Sequence, residues 1–227
     1  ISNQAIRRPA SMVLADRSVP AIWREFFEYH TSQAFWAELV ARFGPEIRRR
    51  HPWLEEKVGR PLEEWRVKVR NTEGEADVTL DVLFVINTPV TKPCSVKPPH
   101  VDARSKIFTG LLYMREPTDP TPGGELELYG SREDGFRFDK TYVLPATARL
   151  ARRIPYAPNY FLGFVNSADA VHGVSPRPVT DRLRRYVDFG AELPFQVFDL
   201  PQASLPSRLW HRLTQPRGRA YTRPAGA

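Results

Sequence analysis

Two periods of apolar residues divide the chain. From Pro20 onward, Ile22, Phe26, Phe27, Trp36, Leu39, Val40 and Phe43 fall near three- and four-residue spacing, the stripe of amphipathic helices. Thr31 or Ser32 can cap the second of two helices, and Gly44-Pro45 is expected to end it. Residues 1–19 read as a polar lead-in with little periodicity. Near Trp65 the period falls to two. Residues 65–70 alternate, 71–74 make a turn, and 77–87 resume as a strand that becomes apolar throughout at 82–86, as expected for burial on both faces. A Pro-rich connection, 88–99, leads to further strands at 107–114, at 125–129 after the Gly123-Gly124 turn, and at 136–143, 160–165 and 184–189. The arginine-rich residues 149–153 read as a link between two of them.

A helical part followed by short strands at regular spacing predicts a mainly β chain with N-terminal helices, an α+β arrangement. Because few helices separate the strands, a parallel α/β fold is disfavoured. The expected architecture is a double-stranded β-helix, or jelly roll, buttressed by helices. Residues 1–64 are expected to form the helical buttress, 65–200 the jelly-roll core, and 201–227 a C-terminal tail.

Composition narrows the function. With 227 residues, five Trp and 13 Phe, the chain can bury one large core. No apolar run approaches the roughly 20 residues that span a bilayer, and none at Ile1 resembles a signal segment. No membrane association is therefore expected, and cytoplasmic location is the default; the sequence starts without Met, so trimming ahead of Ile1 is an expectation too. The single cysteine, Cys94, excludes an intrachain disulfide and a cysteine-based metal cluster. A net charge of +7 permits nucleic-acid binding, but the arginines are spread out with no aromatic-interleaved basic stripe, so a nucleic-acid partner is not expected.

The chemistry concentrates around His100-Val101-Asp102. Residues two apart on an extended chain point to one side, so an imidazole and a carboxylate there can converge on one cation. A second isolated histidine, His172, stands in the Gly-Val-Ser-Pro region far downstream, where a jelly roll brings the chain back across the barrel. Two imidazoles and one carboxylate placed facially are the ligand set of non-haem Fe(II) oxygenases. Alternation after His172 places Arg182, Arg184, Tyr186 and Asp188 on one face; Arg184 is the first choice for binding a carboxylate and Arg182 the second. Tyr113, on the strand after the His-x-Asp pair, can donate to the same carboxylate. His30 and His51 read as structural or exposed.

The order of four elements resembles the Fe(II)- and 2-oxoglutarate-dependent dioxygenases, most closely the prolyl-4-hydroxylase-like branch. These elements are HVD, the strand IFTGLLYM, the turn and strand GGELELY, and HGVSP followed by an arginine-bearing strand. The resemblance covers about residues 83–193. It implies that His100, Asp102 and His172 hold Fe(II), that Arg184, with Arg182 in second place, binds the far carboxylate of 2-oxoglutarate, and that Tyr113 assists. No catalytic residue beyond the metal ligands is implied. The cofactors would be Fe(II), 2-oxoglutarate and O2, with ascorbate as reductant in vitro. An intact Asp102 leaves no ligand position for a halide. A small-molecule substrate, such as a sugar or antibiotic scaffold of secondary metabolism, is expected, with protein or peptide prolyl hydroxylation as the alternative. A cupin-like metal enzyme without 2-oxoglutarate, a nucleic-acid demethylase and a non-enzymatic jelly-roll binding module are the competing classes. Oligomeric state is left open.

Overall fold

The computed structural model describes residues 2–132 and 135–202. The chain opens with strand β1 (Ala5–Pro9) and helix α1 (Ala10–Ala15), then α2 (Ala21–His30), α3 (Gln33–Arg50) and α4 (Leu54–Val58). The strands that follow are β2 (Val67–Val69), β3 (Val78–Asn87), β4 (Lys106–Met114), β5 (Leu126–Ser131), β6 (Phe138–Asp139), β7 (Tyr142–Val143), β8 (Ala148–Ile154), β9 (Pro158–Val165), β10 (His172–Val174) and β11 (Arg184–Glu192).

The large sheet has the order β1-β3-β11-β4-β9, antiparallel throughout, with β2 added to β3 in parallel. A smaller antiparallel sheet runs β10-β5-β8, and β6 pairs with β7. The result is a mainly β chain with a few helices and antiparallel sheets, an arrangement compatible with a jelly roll. Among the described residues, no helix is long and apolar enough to cross a membrane.

Strand alternation separates two cores. On β4 and β11, Phe108, Leu112, Val187, Phe189 and Ala191 face the helices, where they meet Phe27, Trp36, Leu39 and Val40. Leu111, Tyr113 and Tyr186 face the other way, toward Leu126, Leu128 and Ile154 of the small sheet. The helices thus fix one face of the large sheet and leave the other to line the space between the sheets. Trp36 anchors this layer. It is fully buried, stacks on Trp65 at 5.7 Å between ring centroids, and donates its indole N–H to Leu62 O at 2.8 Å. Ser32 caps α3 by accepting from the Phe35 amide.

Several local expectations need correction. The lead-in contains β1 and α1, because β1 is recruited by long-range pairing with β3 rather than by a pattern of its own. Helix α3 does not stop at Gly44-Pro45 but continues to Arg50 with Pro45 inside it. Burial of Leu39, Val40, Gly44 and Ile47 offsets the roughly 3 kcal/mol that an interior proline costs. The arginine-rich link is strand β8, whose residues 149–153 are all exposed. The strand expected at 136–143 is two short strands, β6 and β7, around a turn. From Ala203 on, the expected tail lies outside the described residues.

Candidate metal centre

His100 and His172 meet because their backbones pair. Each amide donates to the other's carbonyl, at 2.8 Å from His100 N and 2.9 Å from His172 N. In such a hydrogen-bonded antiparallel pair both side chains leave on the same side. The imidazole centroids lie 4.3 Å apart. Asp102, two residues beyond His100, brings Oδ1 to 3.6 Å from His100 Nε2 and 3.8 Å from His172 Nε2. One ligand atom from each of these three residues lies within 4.8 Å of the other two, and all three residues are buried. His100 is not in a regular strand. It lies at isolated bridges to His172 and Tyr142, so the convergence comes from cross-chain pairing more than from strand periodicity.

The protonation states suit a cation. His100 Nδ1 lies 2.8 Å from Pro98 O and His172 Nδ1 3.0 Å from Ala170 O. A carbonyl only accepts, so each Nδ1 carries the hydrogen and each Nε2 presents its lone pair. Burial, reinforced by Lys97 and His172, pushes His100 down to about 3, and burial also lowers His172. Both rings are neutral near pH 7, so their approach to Asp102 is not an ion pair. Burial alone would raise Asp102, but Lys106 and Lys97 hold its carboxyl well below the usual range. His100 Nε2 is a buried polar atom without a hydrogen-bond partner, which a metal ion would satisfy.

Further groups fix the carboxylate. Asp102 Oδ2 accepts from Thr109 Oγ1 at 2.7 Å, and Thr109 Oγ1 accepts from Asn166 Nδ2 at 2.9 Å. The backbone carbonyl of Asn166 in turn accepts from His51 Nε2 at 2.7 Å, linking the end of α3 to the triad. His51 is thereby structural and buried. His30 sits among Phe26, Phe35 and Phe189 with Nδ1 tied to Phe26 O.

Farther along the same inner face lies a second polar group. Arg184 is 1% exposed, donates from Nε to Gly124 O at 2.9 Å and from Nη1 to Asn87 Oδ1 at 3.2 Å. Its guanidinium is 4.7–5.0 Å from the ring centroids of Tyr186, Tyr113 and Tyr156. Among the described residues no carboxylate pairs with it. The Tyr113 hydroxyl and Asn87 Nδ2 are buried and unpartnered beside it, and burial raises Tyr113 to about 12, so its hydroxyl keeps the proton. A guanidinium paired with no carboxylate, beside two unpartnered donors, makes a pocket for an anion such as a carboxylate. Gly124, at φ +81°, makes room, since a Cβ there would stand 3.1 Å from Arg184 Cδ. Arg182 does not join the group. Its side chain is half exposed and lies near Glu116 and Asp181.

Strand register orders these parts. Tyr113 pairs with Tyr186, Leu111 with Asp188, and Thr109 with Gly190. The anion pocket therefore lies about 13 Å along β4 from the residue that holds Asp102. Leu111, Leu126, Leu128 and Leu162 lie on the same side as Tyr113, and opposite Leu111 the Asp188 carboxyl, pushed up by burial, shares that side. Thr109, Asn166, Asn87 and Lys97 carry no spacing signal and escape sequence reading. A separate apolar cavity of about 250 Å³, lined by Phe26, His30, Phe35, Leu112, Phe161 and Phe189, lies on the helix side of the sheet, away from this chemistry.

No family model matches the sequence, and no curated protein does. The structure is similar to the crystal structure of a Pseudomonas putida prolyl-4-hydroxylase, with a TM-score of 0.40 and 10% identity, covering 84% of this chain and 73% of that one. Likeness at this level identifies neither a family nor an activity.

Proposed function

We propose that this chain is an Fe(II)- and 2-oxoglutarate-dependent oxygenase that oxidises an unactivated C–H bond of a small molecule, by hydroxylation or oxidative cyclisation. The observation that carries the reading is the order on one inner face: a His–Asp–His group, a stretch of leucines with the Asp188 carboxyl beside it, then a buried pocket of donors. A keto acid with a second carboxylate matches that order end to end. His100, Asp102 and His172 would hold the metal, whose two-imidazole, one-carboxylate set leaves positions open. Arg184, Tyr113 and Asn87 would hold the far carboxylate, and the leucines would exclude water around the methylene groups. Thr109 holds Asp102 in its orientation. When bound, Fe(II) with 2-oxoglutarate and O2 would supply the oxidising power, releasing succinate and CO2. A sugar or antibiotic scaffold is the proposed substrate type.

The test is succinate release from 2-oxoglutarate under air with Fe(II) and ascorbate, comparing wild type with His100→Ala and Arg184→Ala. Turnover should vanish in the first variant, and 2-oxoglutarate affinity should fall sharply in the second. If wild type releases no succinate and the anaerobic iron protein binds no 2-oxoglutarate, the reading is wrong.

A further inference from the structure

The carboxylate of the triad already has a cation on it. Lys97 Nζ lies 3.2 Å from Asp102 Oδ1, the same oxygen that faces both imidazole Nε2 atoms. Lys106 Nζ stands 3.8 Å from the other oxygen, Oδ2. The two lysines differ in freedom. The Lys106 side chain is 16% exposed and lies over Gly190, whereas that of Lys97 is 40% exposed. The Lys97 backbone, by contrast, is fixed. Its amide donates to Ser95 Oγ at 3.1 Å, Ser95 Oγ donates to Val174 O, and Lys97 O accepts from Val174 N at 2.9 Å. The residue is thus tied to the strand that begins with His172, and a flexible stem carries its ammonium to Asp102.

We propose that Lys97 is an internal counter-cation of Asp102, competing with the metal for Oδ1 and thereby setting the metal affinity of the site. The proposal rests on the reading that the triad holds a metal. A metal ion bound by Oδ1 and the two Nε2 atoms repels an ammonium at that oxygen, and the exposed stem lets Lys97 turn outward as the ion enters. Lys106, less exposed and on the opposite oxygen, stays. Before loading, Lys97 keeps the carboxylate aimed at the imidazoles; afterwards the ion does so.

Mn(II) binding to the chelator-stripped full chain, read as loss of the free-ion electron paramagnetic resonance signal, tests this directly without turnover. Wild type is compared with Lys97→Ala, Lys97→Gln and the charge-retaining Lys97→Arg, each checked for a native circular dichroism spectrum. Removing the ammonium should tighten Mn(II) binding roughly five- to tenfold, the scale of the attraction between two unit charges about 3–4 Å apart in high dielectric, which the entering ion must otherwise displace. Lys97→Arg should remain near wild type. If the Ala variant loses its fold, the Gln variant decides. Affinity unchanged or weakened in the neutral variants overturns the proposal while leaving the metal reading standing. Binding of no Mn(II) by wild type or any variant overturns both.

Discussion

Replacing Thr109 by Val isolates what holds the Asp102 carboxylate in place. Valine keeps the β-branched shape that β4 needs and removes only the hydroxyl. That hydroxyl is the donor to Asp102 Oδ2 at 2.7 Å and the acceptor for Asn166 Nδ2 at 2.9 Å. The variant therefore loses one hydrogen bond to an ionised group, about 1.5–3 kcal/mol, and leaves a buried amide donor unpaired at a further cost of about 1–3 kcal/mol. Lys106, at 3.8 Å from Oδ2, is too far to replace the lost donor. The larger effect concerns the ligand: freed on one side, Asp102 no longer presents Oδ1 in a fixed direction. Losses of orienting partners of this kind cost roughly 10–100-fold in metal affinity. Mn(II) titration and urea unfolding of wild type, Thr109→Val and Thr109→Ser separate the contributions, since serine restores the hydroxyl. Metal affinity within about twofold of wild type in a folded Thr109→Val protein would refute the role assigned to this hydroxyl.

Gly124→Ala should weaken 2-oxoglutarate binding about tenfold or more while leaving Mn(II) affinity unchanged, because a Cβ there stands 3.1 Å from Arg184 Cδ and 3.2 Å from Nε and the backbone is left-handed; equal affinity in an anaerobic binding titration would count against Arg184 as the anion site. Tyr113→Phe should remove one donor and raise the 2-oxoglutarate dissociation constant roughly 3–10-fold, a smaller effect than Arg184→Ala in the same titration. Stability of the metal-free protein should fall between about pH 7.5 and about pH 5, read as a lower urea midpoint. Burial lowers His30, His51 and His172 and takes His100 to about 3, so the unfolded chain binds protons below its ordinary imidazole value of 6.5 that the folded chain refuses. Burial also raises Asp81 to about 6 and raises Asp188, which works in the opposite direction, but two carboxyls do not outweigh four imidazoles; a midpoint that held or rose on acidification would contradict this.

The sequence made the strands with a clean period of two legible, and with them the places of Tyr113 and Arg184, while His100 and Asp102 stood out only as a His-x-Asp pair outside any regular strand. What it concealed follows physical rules. Strand β8 looks like a charged link because an exposed strand of arginines carries no apolar alternation. Helix α3 runs through Pro45 because core packing outweighs local propensity. Nor could spacing decide between Arg182 and Arg184, since both lie on the same expected face; the choice depends on β11 beginning at Arg184, opposite Asn87, with Arg182 left outside the strand. Of the groups around the triad, Lys97 and Thr109 flank Asp102 in the sequence but at no telling spacing, and Asn166 comes from a distant segment that only tertiary structure brings in.

The reciprocal backbone pair between His100 and His172 also has a bearing on how the chain reaches its folded state. It closes a loop of about 70 residues, a contact whose entropy cost must be met before it yields any stabilisation. Closing so long a loop is slow, so the pair is expected to form after the local contacts. The triad is therefore a clasp, complete only when the small sheet has docked. An ion held across it would act as a rivet on that clasp, slowing hydrogen exchange at the His100 and His172 amides and raising the barrier to opening.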